Sequence, residues 1–132
     1  MHVDKWVEWD NSPLIDKSNH TQAIRDTGKA LEIDMIDDTP EGVEIKVIFN
    51  NPITYRITEE ICTIALQWAA SEGRAPDFIS EFMWFKIESS SYIEELEGLS
   101  LIEKSHLTHF ALFSIDHLIE IISPSEPIII RK

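Results

Sequence analysis

The chain has 132 residues, 43% of them hydrophobic and 27% charged, the proportions of one folded domain rather than a disordered chain. Lys and Arg number 11 against 24 Asp and Glu, a formal net charge of -13, which excludes a binder that holds nucleic acid through a general basic field. One Cys, Cys62, excludes an intramolecular disulfide.

The polar start, Met1-His2-Val3-Asp4-Lys5-Trp6, lacks the apolar stretch of a secretory signal. No run approaches the roughly 18 apolar residues of a membrane helix. Both point to a cytoplasmic protein.

Residues 1–28 form a less regular N-terminal segment of a single 1–132 domain. Val3 to Trp9 alternates weakly and permits a short strand, which Asn11-Ser12-Pro13 interrupts. Ser18 to Thr27 fits one or two helical turns ending at Gly28. From Lys29 the pattern becomes period two. Leu31, Ile33 and Met35 alternate with Glu32 and Asp34; Val43, Ile45, Val47 and Phe49 alternate with Glu44 and Lys46; Ile53, Tyr55 and Ile57 follow after Asn50-Asn51-Pro52. Three such strands with short links read as an antiparallel meander.

Between Thr58 and Gly73, Ile61, Ile64, Ala65 and Trp68 hold the i, i+3, i+4, i+7 spacing of an amphipathic helix. Cys62, Ile64, Leu66 and Trp68 alternate like a strand; the length of the segment and Ala69-Ala70 favour helix over about 59–72. Phe82 to Glu88 reads as a buried aromatic strand. Ser91 followed by Glu94 matches a capping box opening a short helix over 91–97. Leu107 to Ile115 is apolar on both faces, as a strand in the middle of a sheet is. Leu118 to Ile122 returns as its hairpin partner, and Ile128-Ile129-Ile130 ends the chain as a short strand or a packed tail. The expected fold is α+β: a mainly antiparallel sheet with strands near 30–36, 43–49, 53–57, 82–88, 108–115 and 118–122, its apolar face covered by one or two helices.

Most chemistries fail on spacing. Gly28, Gly42, Gly73 and Gly98 stand alone, so there is no phosphate-cradling loop. No G-x-S-x-G elbow exposes a serine. His106 and His109, three apart at a strand entry, point to opposite faces and have no Cys pair beside them, so they read as a surface His and a half-buried sheet His, not as metal ligands. Cys62 lies in an apolar stretch and reads as a small buried hydrophobe. No metal, cofactor or catalytic set is expected, and the chain reads as a non-enzyme.

The charge carries the functional expectation. A fold of this mass exposes roughly 7,000 Å², so an even spread of the surplus puts about one net charge on each 550 Å², enough for solubility only. Function requires clustering. Asp34, Asp37, Asp38 and Glu41 lie in a stretch without Lys or Arg, and Glu94, Glu95 and Glu97 form a second group. Each has a plain alternative as a solvated face. The sharper expectation is that they meet a basic protein partner, with Trp6 and Trp9 as aromatic anchors. Packing of the N-terminal strand is the alternative for those two. A pocket lined by Trp68, Trp84, Phe85, Tyr92, His109 and Phe113, serving a small ligand or an enzymatic step, is a competing expectation, and a homodimer through an uncovered strand edge is a third.

The second half also carries a resemblance. Phe82-Met83-Trp84-Phe85-Lys86-Ile87-Glu88 runs into Ser89-Ser90-Ser91-Tyr92; later come His109-Phe110-Ala111-Leu112-Phe113 and Asp116 to Ile121, with Pro124 and Pro127 behind. Over residues 53–130 this resembles small uncharacterised Bacillus-type bacterial proteins with a V-E-N-S-x-Y element and a later H-Y-x-I-x-T strand. Size and acidity are similar to those of immunity proteins of polymorphic toxin systems. The chain departs at Ser89, where that pattern has Asn, and no site residue is carried over. The resemblance implies a bacterial, non-enzymatic protein. Together with the surplus of carboxylates, it makes the leading expectation an immunity-type inhibitor that occludes the active-site cleft of a basic toxin such as a nuclease, because such clefts are basic to bind phosphates.

Overall fold

The computed structural model describes residues 5–9, 19–37, 39–59, 84–96, 106–114 and 117–132. They form nine strands and one short helix: β1 (Lys5–Glu8), β2 (Asn19–Asp26), β3 (Ala30–Asp37), β4 (Glu44–Asn50), β5 (Thr54–Glu59), β6 (Trp84–Glu88), α1 (Ser91–Glu95), β7 (Thr108–Phe113), β8 (His117–Ser123) and β9 (Ile128–Arg131). All pairings are antiparallel.

The strands divide into a five-stranded sheet, ordered β1-β6-β7-β8-β5, and a four-stranded sheet, ordered β2-β3-β4-β9. Leu31, Ile33 and Met35 of β3 and Ile45, Val47 and Phe49 of β4 point to one side of the smaller sheet. They share one buried cluster with Trp84, Phe110, Leu112, Ile119 and Ile121 of the larger. Phe49 and Phe110 meet across the gap with ring centroids 5.2 Å apart. The architecture is thus two antiparallel sheets packed face to face. The apolar face expected to lie under helices is covered by a second sheet. Five described helical residues remain from the α part of the expectation, and the helix expected over 59–72 falls outside the described residues except for Glu59, which ends β5.

Two local expectations change. The segment read as helical turns before Gly28 is strand β2, hydrogen-bonded to β3 along its length. Gly28 instead makes the hairpin turn, in a left-handed conformation at φ +85° that costs glycine nothing. The three-strand meander also breaks: β3 pairs with β4, but β5 crosses to the other sheet and pairs with β8. Asn51, left-handed at φ +49°, and Pro52 turn the chain there; Asn tolerates that conformation better than most residues.

β7 occupies the middle of the five-stranded sheet, as its apolar faces require. Phe110 and Leu112 enter the sandwich, while His109, Ala111 and Phe113 are buried on the other side. No helix among the described residues is long and apolar enough to cross a membrane.

Candidate partner-binding pocket at the turn from β6 to α1

β6 ends at Glu88, and the chain turns sharply into α1. Ser89 makes the turn in a left-handed conformation, φ +54°, which costs a non-glycine residue on the order of 1 kcal/mol. Ser90 follows as the N-cap, its Oγ accepting a hydrogen bond from the Ile93 amide at 3.1 Å. The capping box expected at Ser91 and Glu94 is therefore displaced by one residue: Ser91 is the first helical residue, and Ile93, not a Glu, occupies the third.

Ser90 is the start of a buried polar chain. Its Oγ lies 2.6 Å from His109 Nδ1. His109 Nε2 lies 3.1 Å from Glu120 Oε1, and Arg56 donates to both Glu120 oxygens. The chain is satisfied with a proton on Nε2 donated to Glu120, the Ser90 hydroxyl donating to Nδ1, and the Ile93 amide donating to Ser90. Burial pushes the Glu120 carboxyl up, but hydrogen bonds from His109 and Arg56 and the charge of Arg56 outweigh it, so the group ionises below the usual carboxylate range. Tyr92 closes the chain from above: Arg56 stacks on its ring 4.1 Å from the centroid, and the ring meets His109 edge-on.

Ser, His and Glu are the residue types of a hydrolase relay, but this arrangement is a brace. Ser90 is 5% exposed and its Oγ is held by the cap; His109 has no exposure. A nucleophile needs an open face for substrate.

What the brace holds in place is a pocket of about 440 Å³ on the other side of the turn. Ile87, Ile93 and Leu107 line it as apolar residues, Ser89, Ser90 and Thr108 as small polar ones, and Glu88 and Glu94 as acidic ones; Glu88 also pairs with Lys5 at 3.7 Å. Lys86 also borders it, but its ammonium is bound to Glu126 at 2.7 Å and lies over the rings of Trp9 and Phe110. An apolar wall of pocket length with carboxylates at its rim suits a long cationic side chain, whose stem packs while its head is paired.

The described residues selected from sequence do not form one site. Asp34 lies on the outer face of the four-stranded sheet, 2.9 Å from Arg25 and 3.6 Å from Lys132. The hydrogen bond from Arg25, and the charges of Arg25, Lys132 and Lys46, depress its pKa against the opposing effect of burial. Asp37 is 3% exposed. Its Oδ1 accepts from the Thr39 amide and hydroxyl and from the Val43 amide, tying the turn between β3 and β4. Both carboxylates are buried and bonded within the smaller sheet and its turn, Asp34 through Oδ2. Trp6 packs edge-on against Phe85, and Trp9 packs on Trp84 and Phe110, so the N-terminal aromatics dock β1 onto the sheet. Glu41 is exposed in its turn, and Glu94 and Glu95 are exposed on α1, over the other sheet. Asp38 and Glu97 lie outside the described residues.

Of the residues expected to line a competing aromatic pocket, Trp84, Phe85, Tyr92, His109 and Phe113 are all buried, with Trp84 in the cluster between the sheets, and Trp68 lies outside the described residues. Sequence reasoning missed the polar brace. Its signal was present: His109 and Glu120 are the ionisable members of two mostly apolar segments, and pairing of those segments as β7 and β8 makes the two diagonal neighbours. Compared with known proteins, the chain matches no family model, no curated protein and no solved structure.

Proposed function

We propose that the protein is an acidic, non-catalytic protein-binding module acting in the cytoplasm. Its partner is a basic protein, and the module serves as an immunity-type inhibitor that closes the active-site cleft of a toxin such as a nuclease. The observation that supports this most directly is the pocket beside Ser89, where Glu88 and Glu94 rim an apolar wall fit for a Lys or Arg side chain. Nuclease clefts are basic because they bind phosphates, and a chain of net charge -13 is drawn to such a cleft from a distance. The acidic stretch around Asp34 and Asp37 is not part of this reading, since those groups are buried within the four-stranded sheet and its turn; Glu88, which also pairs with Lys5 at 3.7 Å, and the exposed Glu94 and Glu95 carry it.

The test is recovery of the partner on immobilised protein from the native host, with wild type beside Glu88→Lys and Glu94→Lys. The expected result is a basic protein that the variants retain at least tenfold less well, and whose nucleic-acid hydrolysis stops when wild type is added. Association slows as salt rises from about 50 to about 500 mM. Equal recovery by wild type and variants, or a partner whose activity is untouched, overturns the reading.

A further inference from the structure

The geometry points to a second, separate interface: β9 is a self-pairing edge through which two copies of this chain join their four-stranded sheets into one eight-stranded sheet. β9 pairs with β4 on one side, Ile128 with Ile48 through Arg131 with Ile45. Among the described residues no strand pairs its other side. The register fixes what that side offers. The Lys132 amide donates to the Glu44 carbonyl, so the backbone groups of 128, 130 and 132 point toward β4, and those of 129 and 131 point away from it. Pro127 adds a carbonyl but no N–H to the free side.

An antiparallel two-fold contact must match these outward groups. Placing Ile129 opposite its own copy does so. The two Ile129 residues exchange both backbone hydrogen bonds, and each Arg131 amide donates to the Pro127 carbonyl of the other copy; the Arg131 carbonyl, which proline cannot serve, stays hydrated at the end of the contact. Ile128 then faces Ile130 of the second copy on the outer surface. Among the described residues these are the most exposed large hydrophobics, at 52% and 47%, and this register sets all four against one another. Lys132 comes opposite Glu126, which is 62% exposed at its side chain despite its bond to Lys86.

Charge selects the occupant. The chain as a whole repels its own copies, but residues 127–132 contain Arg131 and Lys132 and no Asp or Glu. A basic protein has no reason to choose this strand. A second copy of an acidic chain meets least repulsion here. Four residues a side make a small interface, well below the roughly 800 Å² per partner of a stable complex, so the dimer is weak and concentration-dependent.

Sedimentation velocity of the full chain from about 5 to about 500 µM tests the proposal. Wild type is expected to move from monomer to dimer in this range, and added salt strengthens the dimer by screening the net charge. That sign is opposite to the salt effect on a basic partner, so the two readings fail separately. Arg131→Pro removes an N–H that β4 does not use. It should raise the dimer dissociation constant about tenfold or more while circular dichroism and melting temperature stay near wild type. Arg131→Ala keeps that N–H and the dimer. Ile130→Lys, which puts like charge across the two-fold, provides an independent second variant and should also dissociate it. A wild type that is monomeric at about 500 µM in high salt, or an Arg131→Pro variant that dimerises like wild type, overturns the proposal.

Discussion

His109 and Glu120 stand side by side in the centre of the five-stranded sheet, 3.1 Å apart, at 0% and 5% exposure, with Ser90 on one flank and Arg56 on the other. Two ionisable groups in so dry a place survive only because each has a partner. The pair joins the turn that shapes the pocket to the far edge of the sheet, since Arg56 belongs to β5 and Ser90 follows β6.

The acid limb of stability should report on Glu120. Its folded pKa lies below the ordinary value of 4.5, so its contribution is fully present above that value and is lost as pH falls through the folded one. Glu120→Gln should cost about 2–4 kcal/mol at neutral pH and flatten the acid dependence, leaving the part due to Asp34, which is shifted the same way. Urea unfolding from pH 7 down to pH 3 measures both. An unchanged acid slope in the variant contradicts the assigned pairing.

Ser90→Ala removes the helix cap and leaves His109 Nδ1 without a partner. The cap is worth about 1 kcal/mol and a buried unsatisfied nitrogen costs about 1–3 kcal/mol, so a loss of about 2–4 kcal/mol is expected. Ser90→Thr keeps the hydroxyl and should lose less than half as much. Chemical denaturation checks the ranking, which inverts if the hydroxyl does not hold the turn.

Ser89 should respond in the opposite direction. Its left-handed conformation is free for glycine and cheaper for asparagine than for serine. Ser89→Gly is expected to stabilise by about 0.5–1 kcal/mol, read as a melting temperature raised by a few degrees.

Asp37 separates a structural carboxylate from a recognising one. Asp37→Ala strands three donors of the turn between β3 and β4 and should cost about 2–3 kcal/mol. Asp37→Asn keeps an acceptor oxygen and should cost about 1 kcal/mol or less. Neither should change the affinity for a basic partner beyond twofold once the protein is folded, as binding measured well below the melting temperature would show.

Strands whose alternation is undisturbed were legible in the sequence. β3 and β4 lie where period two places them, β7 and β8 lie where a doubly apolar run and its hairpin return place them, and β7 is central because both its faces are apolar. β2 was not legible, and its register says why. The pairing slips between Thr21 and Ala23, so Gln22 bulges out and the inward residues become Thr21 and Ile24, three apart, a helical spacing. The partner of β5 was equally hidden. Its alternation is the same whether it continues the sheet of β4 or crosses to β8, because the choice depends on residues 60 positions further along. For the site, charge counting found carboxylates but not their neighbours. Arg25 reaches Asp34 only because the bulged strand brings it there, a contact no local pattern announces.

The pairing of β4 with β9 joins Ile45 to Arg131, 86 residues apart. At a translation rate of roughly 5–20 residues per second, β4 emerges about 4–17 seconds before the strand that shields its flank. In that interval the smaller sheet exposes alternating isoleucine and valine along an open margin, a hazard for a nascent chain crowded beside others of its kind. Such long-range closure also places folding among slow β topologies, so the yield of active protein in a cell depends on what shelters the half-made sheet until its last member arrives.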